Sequence, residues 1–372
     1  MNEPSCHVAV AFHETEVGGA SLSVLRILPL LEERGWKFAF WTPGPGPLRA
    51  ELEGAGHRVA GQPRLLRYSW DALRMPPGPV ARLASVPGYL SGFRAWIRAA
   101  SPSILHANTL LTIPEALAAR GTGCSTLLYV HEILPRGLRG STAAALARVG
   151  ADTVIGNSQA TVLALQRRGV SARLNYNGVQ LPDRAQPSSR DGRLVIGTLG
   201  TVSRRKGSDL FLAAARRLQT KLPSAEFRMI GPCVEGPERS WAAQLVDAAR
   251  ASAIRCGTRR DPYQELRDWD VFVLPSRDEP FGLAAAEAMA MGIPVVATRV
   301  GGLPEVVGEE AGLLVEPDNV EALASAILDL ARDSRLRSTM GLSGRARVKQ
   351  KFTLEKQADG VHRAYLEAAP ER

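Results

Sequence analysis

Cysteine is scarce and scattered in this chain. Of 372 residues only Cys6, Cys124, Cys233 and Cys256 are thiols, and no two stand at a metal or redox spacing. A disulfide framework or zinc ribbon is therefore not encoded, and the thiols are expected to be reduced in a cytosolic protein. No uninterrupted apolar run is long enough to cross a bilayer, and Met1–Ser5 lack the charged start and apolar core of a secretory leader. No Asp-x-Asp stands at a strand end, so no metal is expected and no cofactor is implied. His13-Glu14 and His131-Glu132 lack the second histidine of a zinc-protease helix. No Gly-x-Gly-x-x-Gly follows a strand, which weighs against a nicotinamide oxidoreductase. Nothing resembles a nucleic-acid reading module, so nucleic acid is not an expected partner.

What is present is the composition of a globular chain, 45% hydrophobic and 22% charged, long enough for two domains. The net charge of +9 is uneven. Residues 1–186 hold 19 Lys+Arg and 12 Asp+Glu, and Arg64, Arg67, Arg74, Arg82, Arg94 and Arg98 face only Asp71. Tyr68, Trp70, Tyr89, Phe93 and Trp96 lie among them. Residues 64–98 are thus a candidate for peripheral contact with an anionic membrane. A solvated helix with an ordinary buried side reads the pattern equally well.

Short apolar runs alternate with helical stretches, the pattern of parallel sheets with crossover helices. His7–Phe12, Lys37–Trp41, Ile104–His106, Thr126–Val130 and Thr153–Ile155 read as strands, with one helix over Ala20–Leu31. Gln180–Arg193, rich in Pro, Ser and Gly, reads as a linker. The pattern then restarts with a strand at Leu194–Leu199 and a helix at Asp209–Leu218. The strand Glu226–Ile230 and the helix Trp241–Ala251 follow, with later helices at Glu321–Ala331 and Thr353–Glu367. The expected domains are 1–182 and 193–352, both doubly wound, facing each other across a cleft with ligands at the carboxyl ends of the strands.

The richest stretch is Asp278-Glu279-Pro280-Phe281-Gly282-Leu283-Ala284-Ala285-Ala286-Glu287. Apolar runs flank it at Val271–Leu274 and Pro294–Ala297, and Gly292 is a helix stop, so it reads as strand, loop, helix, strand. Gly282 marks the helix start, where free N–H groups and the dipole favour an anion. Leu283 and Glu287 share a helix face. A phosphate at Gly282 and Leu283 would leave a ribose within reach of Glu287, and Glu279 would meet the ligand's other end. A sugar joined through a diphosphate to a nucleoside has that shape. After an earlier strand, Gly200-Thr201-Val202-Ser203-Arg204-Arg205-Lys206-Gly207 puts three cations on one loop. Fixed cations aimed at a departing diphosphate stabilise the charge that develops on it, and they can replace a divalent metal.

The string from Glu279 through Glu287 to Gly301-Gly302-Leu303-Pro304-Glu305 resembles the signature of glycosyltransferase family four, retaining enzymes of the GT-B fold. The resemblance implies that Glu279 contacts the transferred sugar, that Glu287 holds the ribose, and that Lys206-Gly207 binds phosphate. The family places an arginine where Thr201 stands here, so Arg204 or Arg205 is expected to fill that role. It also implies that Gly18-Gly19 forms a glycine loop, that His131 points at the donor sugar, and that Phe281 belongs to the donor loop. Gly231 is expected to close over the ribose-phosphate, and Thr258 with Arg259 to lie by the base. Asn157-Ser158 and Asn177-Gly178-Val179 match further family strings, although Asn177-Gly178 is as easily a turn. In the family the last helix crosses back to the first domain, and 353–372 is the candidate here. The implied partners are a UDP- or GDP-sugar donor and a glycan, lipid-linked or small-molecule acceptor, in cell-envelope glycan biosynthesis at the inner face of the membrane. A partner subunit that keeps the fold without turnover is the alternative.

Overall fold

The computed structural model describes residues 7–62, 79–183, 193–258 and 261–369. Arg259, the core of the expected linker (184–192) and the first part of the arginine-rich segment (64–78) lie outside them. The chain forms two units, one made of Met1–Asn177 with Leu354–Arg372, the other of Gly178–Thr353.

The first unit is a seven-stranded parallel sheet ordered β3-β2-β1-β4-β5-β6-β7. Its strands are β1 (Val8–Ala11), β2 (Phe38–Thr42), β3 (Arg58–Gly61), β4 (Ile104–Asn108), β5 (Ser125–Val130), β6 (Thr153–Gly156) and β7 (Arg173–Leu174). The helices between them are α1 (Gly19–Leu25), α2 (Leu28–Glu32), α3 (Pro47–Gly54), α4 (Pro79–Ala100), α5 (Ile113–Ala119), α6 (Leu138–Gly150) and α7 (Gln159–Gln166). Strand alternation divides the core in two. Val8 and Val10 of β1 and Leu127 and Tyr129 of β5 face α1, α2 and α3. Ala9 and Ala11 face α4, and Leu128 and Val130 face α5, α6 and α7.

The second unit is a six-stranded parallel sheet ordered β10-β9-β8-β11-β12-β13. Its strands are β8 (Val195–Leu199), β9 (Glu226–Ile230), β10 (Arg255–Gly257), β11 (Val271–Leu274), β12 (Val295–Thr298) and β13 (Gly312–Val315). Helices α8 (Ser208–Leu218), α9 (Arg239–Ala251), α10 (Pro262–Leu266), α11 (Leu283–Ala290), α12 (Leu303–Val307), α13 (Val320–Arg332) and α14 (Ser334–Lys351) complete it. Val271 and Val273 point into the cluster formed with α8, α9 and α13. Chain order reverses between β8 and β11, so the loops after these neighbours form the switch-point crevice where doubly wound sheets bind ligands.

The final helix, α15 (Leu354–Ala368), packs inside the first unit. Ala358, Val361, Ala364 and Tyr365 join the core on β1 and β5. Gln357 donates to Ser23 Oγ at 2.7 Å, and the Tyr365 hydroxyl lies 2.6 Å from His106 Nδ1.

Two expectations are corrected. The helix expected over Ala20–Leu31 is broken at Arg26–Ile27, and α2 restarts with Pro29 in its first turn. Proline has no N–H, and its ring clashes with the carbonyl four residues back, which favours the break here. In the arginine-rich segment, Tyr89, Phe93 and Ile97 of α4 are buried and Trp96 packs with them around Trp41. These aromatics of the expected membrane surface are core, while Tyr68 and Trp70 lie outside the described residues. No helix among the described residues is long and apolar enough to cross a membrane.

Candidate functional site

In the second unit, the loop after β8 and the loop after β11 are sewn together. Lys206 Nζ is hydrogen-bonded to the Glu279 carboxylate, with the two side chains 20% and 8% exposed. Glu279 also accepts from Ser276 Oγ at 3.4 Å. The β8 loop is held in shape by Ser203, whose N–H donates to Ser208 Oγ and whose Oγ accepts from the Lys206 N–H. Gly207 caps α8 at φ +66°, and a Cβ there would lie 1.9 Å from the Pro275 carbonyl oxygen. Only glycine lets the two loops touch.

Arg277, which sequence reasoning missed, is the fastener. Its guanidinium grips the Asp209 carboxylate at 2.9 and 2.8 Å, reaches Asp318 at 2.6 Å, and donates to the Arg204 carbonyl at 2.6 Å. Its own N–H donates to the Arg205 carbonyl at 2.8 Å. These partners lie from 41 to 73 residues away along the chain, so no local spacing announces them.

The two candidate arginines part company. Arg204 lies 4.5 Å over the Trp241 ring of α9, and its N–H donates to Glu238. Arg205 instead donates to the Asp278 carbonyl at 3.0 Å, beside the Lys206–Glu279 pair. Thr201 is half-buried at the loop's start and accepts from Ser203 through its carbonyl.

Gly282 occupies the N-cap of α11 at φ +99°, a left-handed conformation favouring glycine. The Gly302 N–H donates to the Glu279 carbonyl at 2.9 Å. A Cβ on Gly302 would meet the Pro280 carbonyl oxygen at 2.2 Å, so the Gly301-Gly302 loop closes tightly on the donor loop. Leu283 is half-buried, and Glu287, one turn along α11, is buried. The Phe281 side chain packs edge-on against Phe352 in the core, leaving its backbone for any ligand contact. Gly231, at φ +152°, joins three strand ends. Its N–H donates to the carbonyl of Gly257 at the end of β10, and a Cβ would lie 1.9 Å from the Gly200 carbonyl oxygen. Exposed Thr258 follows directly.

The first unit gathers a second group at the ends of β1, β4 and β5. His131 is buried against Tyr129, with ring centroids 4.3 Å apart, and neither ring nitrogen has a hydrogen-bond partner. Burial lowers its pKa to about 3, so the ring is neutral and can serve as either donor or acceptor. Glu132 accepts from the N–H groups of His131 and Leu110, yet enclosure of its carboxyl raises its pKa to about 7. Thr109 Oγ1 stands 3.0 Å from His13 Nδ1. Burial raises the pKa of Glu14 as well. At Gly18 a Cβ would lie 2.6 Å from the Glu14 carboxylate, and the Gly18 N–H is bonded to Ser21 Oγ at 2.9 Å. The room is used by Glu14. Gly19 is simply the first residue of α1. Among the described residues no group of three or more His, Cys, Asp or Glu could hold a metal ion.

Comparison with known proteins agrees with this layout. The family model "Glycosyl transferases group 1" matches residues 193–333 and "Glycosyltransferase Family 4" matches 17–182. The D-inositol 3-phosphate glycosyltransferase of Corynebacterium jeikeium is 34% identical over 185 residues, 47% of this chain and 44% of that protein. The lipopolysaccharide core biosynthesis mannosyltransferase LpsB of Rhizobium meliloti is 32% identical over 178 residues, 46% and 50% of the two chains. The matched region thus spans about half the length of these curated relatives. Among solved structures, Anabaena HepE in complex with UDP and glucose superposes with a TM-score of 0.81 at 20% identity, over 96% of this chain and 99% of that one. Sucrose-phosphate synthase from Thermosynechococcus elongatus gives 0.77 at 22% identity, over 97% and 98%. With matches running from residue 17 to 333 apart from ten residues, and with two doubly wound parallel sheets, this chain belongs to the GT-B glycosyltransferases of group 1 and family 4.

Proposed function

We propose that this protein transfers a sugar, with retention at the anomeric carbon, from a nucleotide diphosphate donor to an acceptor hydroxyl. The single observation that carries the reading is Lys206 and Glu279 meeting at the tip of α11, with Glu287 one turn along. The diphosphate rests on the N–H groups at Gly282 and Leu283 and takes the Lys206 ammonium, which leaves Glu279 free to hydrogen-bond sugar hydroxyls. Glu287 holds the ribose. Of the two arginines, Arg205 lies on the Glu279 side and assists Lys206, while Arg204 is occupied with Trp241. Thr201, Gly231 and Thr258 line the nucleoside end.

In the transfer, the bond from the anomeric carbon to the diphosphate oxygen breaks. The acceptor oxygen bonds to that carbon on the same face, and its proton passes to the departing diphosphate. Glu279 orients the sugar and is not a covalent nucleophile. Lys206 and Arg205 supply the charge a divalent ion would otherwise bring. A uridine donor comes first, because the HepE structures hold UDP and UDP-glucose, and a GDP-sugar second. The acceptor is a glycan, lipid-linked or small-molecule hydroxyl, in a cytoplasmic, envelope-directed reaction.

The test is a panel of UDP- and GDP-sugars scored by thermal shift and slow donor hydrolysis, since a bound donor raises apparent stability by mass action. A hit is expected to retain its anomeric configuration in the product, and Glu287→Ala is expected to lose donor affinity. An inverted product refutes the mechanism, and calorimetric silence with every sugar nucleotide refutes the activity.

A further inference from the structure

Helix α6 is built inside out. Its buried face is made of Gly140, Ala144, Ala147 and Gly150, all small, while its larger apolar residues face solvent. Leu138 is 86% exposed, Val149 55% and Leu146 41%. Leu138, Thr142, Ala145 and Val149 follow the i, i+4, i+7, i+11 spacing of one helix face, with Leu146 beside them. Arg139 and Arg148 are exposed on opposite flanks of that stripe. Neighbouring segments add charge of the same sign. Arg120 bonds the Val149 carbonyl at one end of α6, and Arg168 bonds the Pro135 carbonyl at the other. Arg136 precedes the helix, Arg167 ends α7, and Leu163 of α7 is a further exposed leucine. Residues 133–182 contain six arginines and one acid, Asp152, whose carboxylate accepts from the Thr126 N–H.

We propose that the outward face of α6, with the arginines that border it, docks on an anionic lipid surface. A helix with an apolar stripe between cations lies in the plane of a bilayer interface, stripe down, with the guanidinium groups at the headgroups. The charge selects this occupant over a second copy of the chain, because a two-fold contact through this face would set like-charged arginines against each other. The surface is distinct from residues 64–98, and the proposal does not rest on the transfer reaction.

The experiment is flotation of the full chain with vesicles of phosphatidylglycerol and phosphatidylcholine, against phosphatidylcholine alone, at low and high salt. Binding is expected to anionic vesicles only and to fall with salt. Leu138→Ser with Leu146→Ser and Val149→Ser is expected to lower partitioning at least tenfold, with unchanged melting temperature and donor hydrolysis. Each of Arg139→Gln and Arg148→Gln lowers it about fivefold at low salt. Leu342→Ser, at a leucine of α14 that is 67% exposed, is the control and leaves binding intact. No flotation at low salt overturns the proposal, as do equal binding to neutral vesicles, parental binding by the triple variant, or equal loss in the control. A solution dimer that the triple variant dissolves would make the face a self-interface and overturn it too.

Discussion

Lys206 and Glu279 form a close charge pair, and removing one charge differs from removing both. Lys206→Met keeps the length of the side chain and deletes the ammonium. It leaves a carboxylate on a side chain only 8% exposed, with one long bond to Ser276 Oγ. Two unit charges in contact are worth about 4 kcal/mol at an effective dielectric of about 20. Stranding one member of a buried pair costs about 3–5 kcal/mol. Some water reaches this pair through Lys206, so the lower end applies, about 3 kcal/mol. Glu279→Gln is expected to cost less, about 1 kcal/mol, because the ammonium, 20% exposed, can turn outward. The double variant strands no charge and is expected to recover about 2 kcal/mol relative to Lys206→Met, a coupling that an additive pair would not show. Sugar-nucleotide affinity is expected to behave otherwise: it is lost in Lys206→Met and stays lost in the double variant. Urea unfolding gives the first quantity and titration calorimetry the second. If the double variant is as unstable as the sum of the singles, the pair is not coupled and the reasoning fails. If it binds donor like the parent, Lys206 is not the phosphate ligand.

Three further outcomes are expected. Gly207→Ala adds a Cβ 1.9 Å from the Pro275 carbonyl oxygen at a positive φ, so it should cost at least about 1–3 kcal/mol of stability and donor affinity with it; a parental melting curve would contradict the tight approach of the loops. Arg277→Ala leaves every donor contact in place but unfastens the loop that bears Lys206, and should weaken donor binding about 10- to 100-fold while Arg277→Lys fails to rescue it. Stability should also depend on pH in two opposed ways. His106 and His131, ordinarily near 6.5, are lowered to about 3, so the unfolded chain binds their protons first and stability falls as pH drops below about 6.5. Glu132 is raised from 4.5 to about 7, so the folded chain holds its proton and stability falls as pH rises through that window. Glu132→Gln should remove only the second trend, gaining about 3 kcal/mol over the parent at pH 8; an unchanged profile would show that the carboxyl is ionised throughout.

The donor loop was legible because its signals are local. Gly282 must be glycine to take a left-handed turn, Glu287 follows Leu283 by four, and apolar runs bound both sides. That Lys206 would meet Glu279 across 73 residues was legible only through sheet logic, since each residue follows one of two neighbouring strands at the switch point. The choice between Arg204 and Arg205 was not, because it depends on where Trp241 of α9 comes to lie. Arg277 was invisible for the same reason: its partners are assembled by packing. Glu14 and Glu132 carry no signal in the sequence, and burial alone distinguishes their carboxyls. In α4 the arginines drew attention to the surface, while its aromatics turned inward to Trp41.

The crossing of α15 into the first unit sets an order of assembly. The second unit is one uninterrupted run, Gly178–Thr353. The first seven strands leave the ribosome long before Ala358, Val361 and Tyr365, which seal their core. At about 5–20 residues per second the gap is on the order of ten seconds or more. For that interval the seven-stranded sheet waits unfinished, with an apolar groove open to chaperones, until α15 closes it.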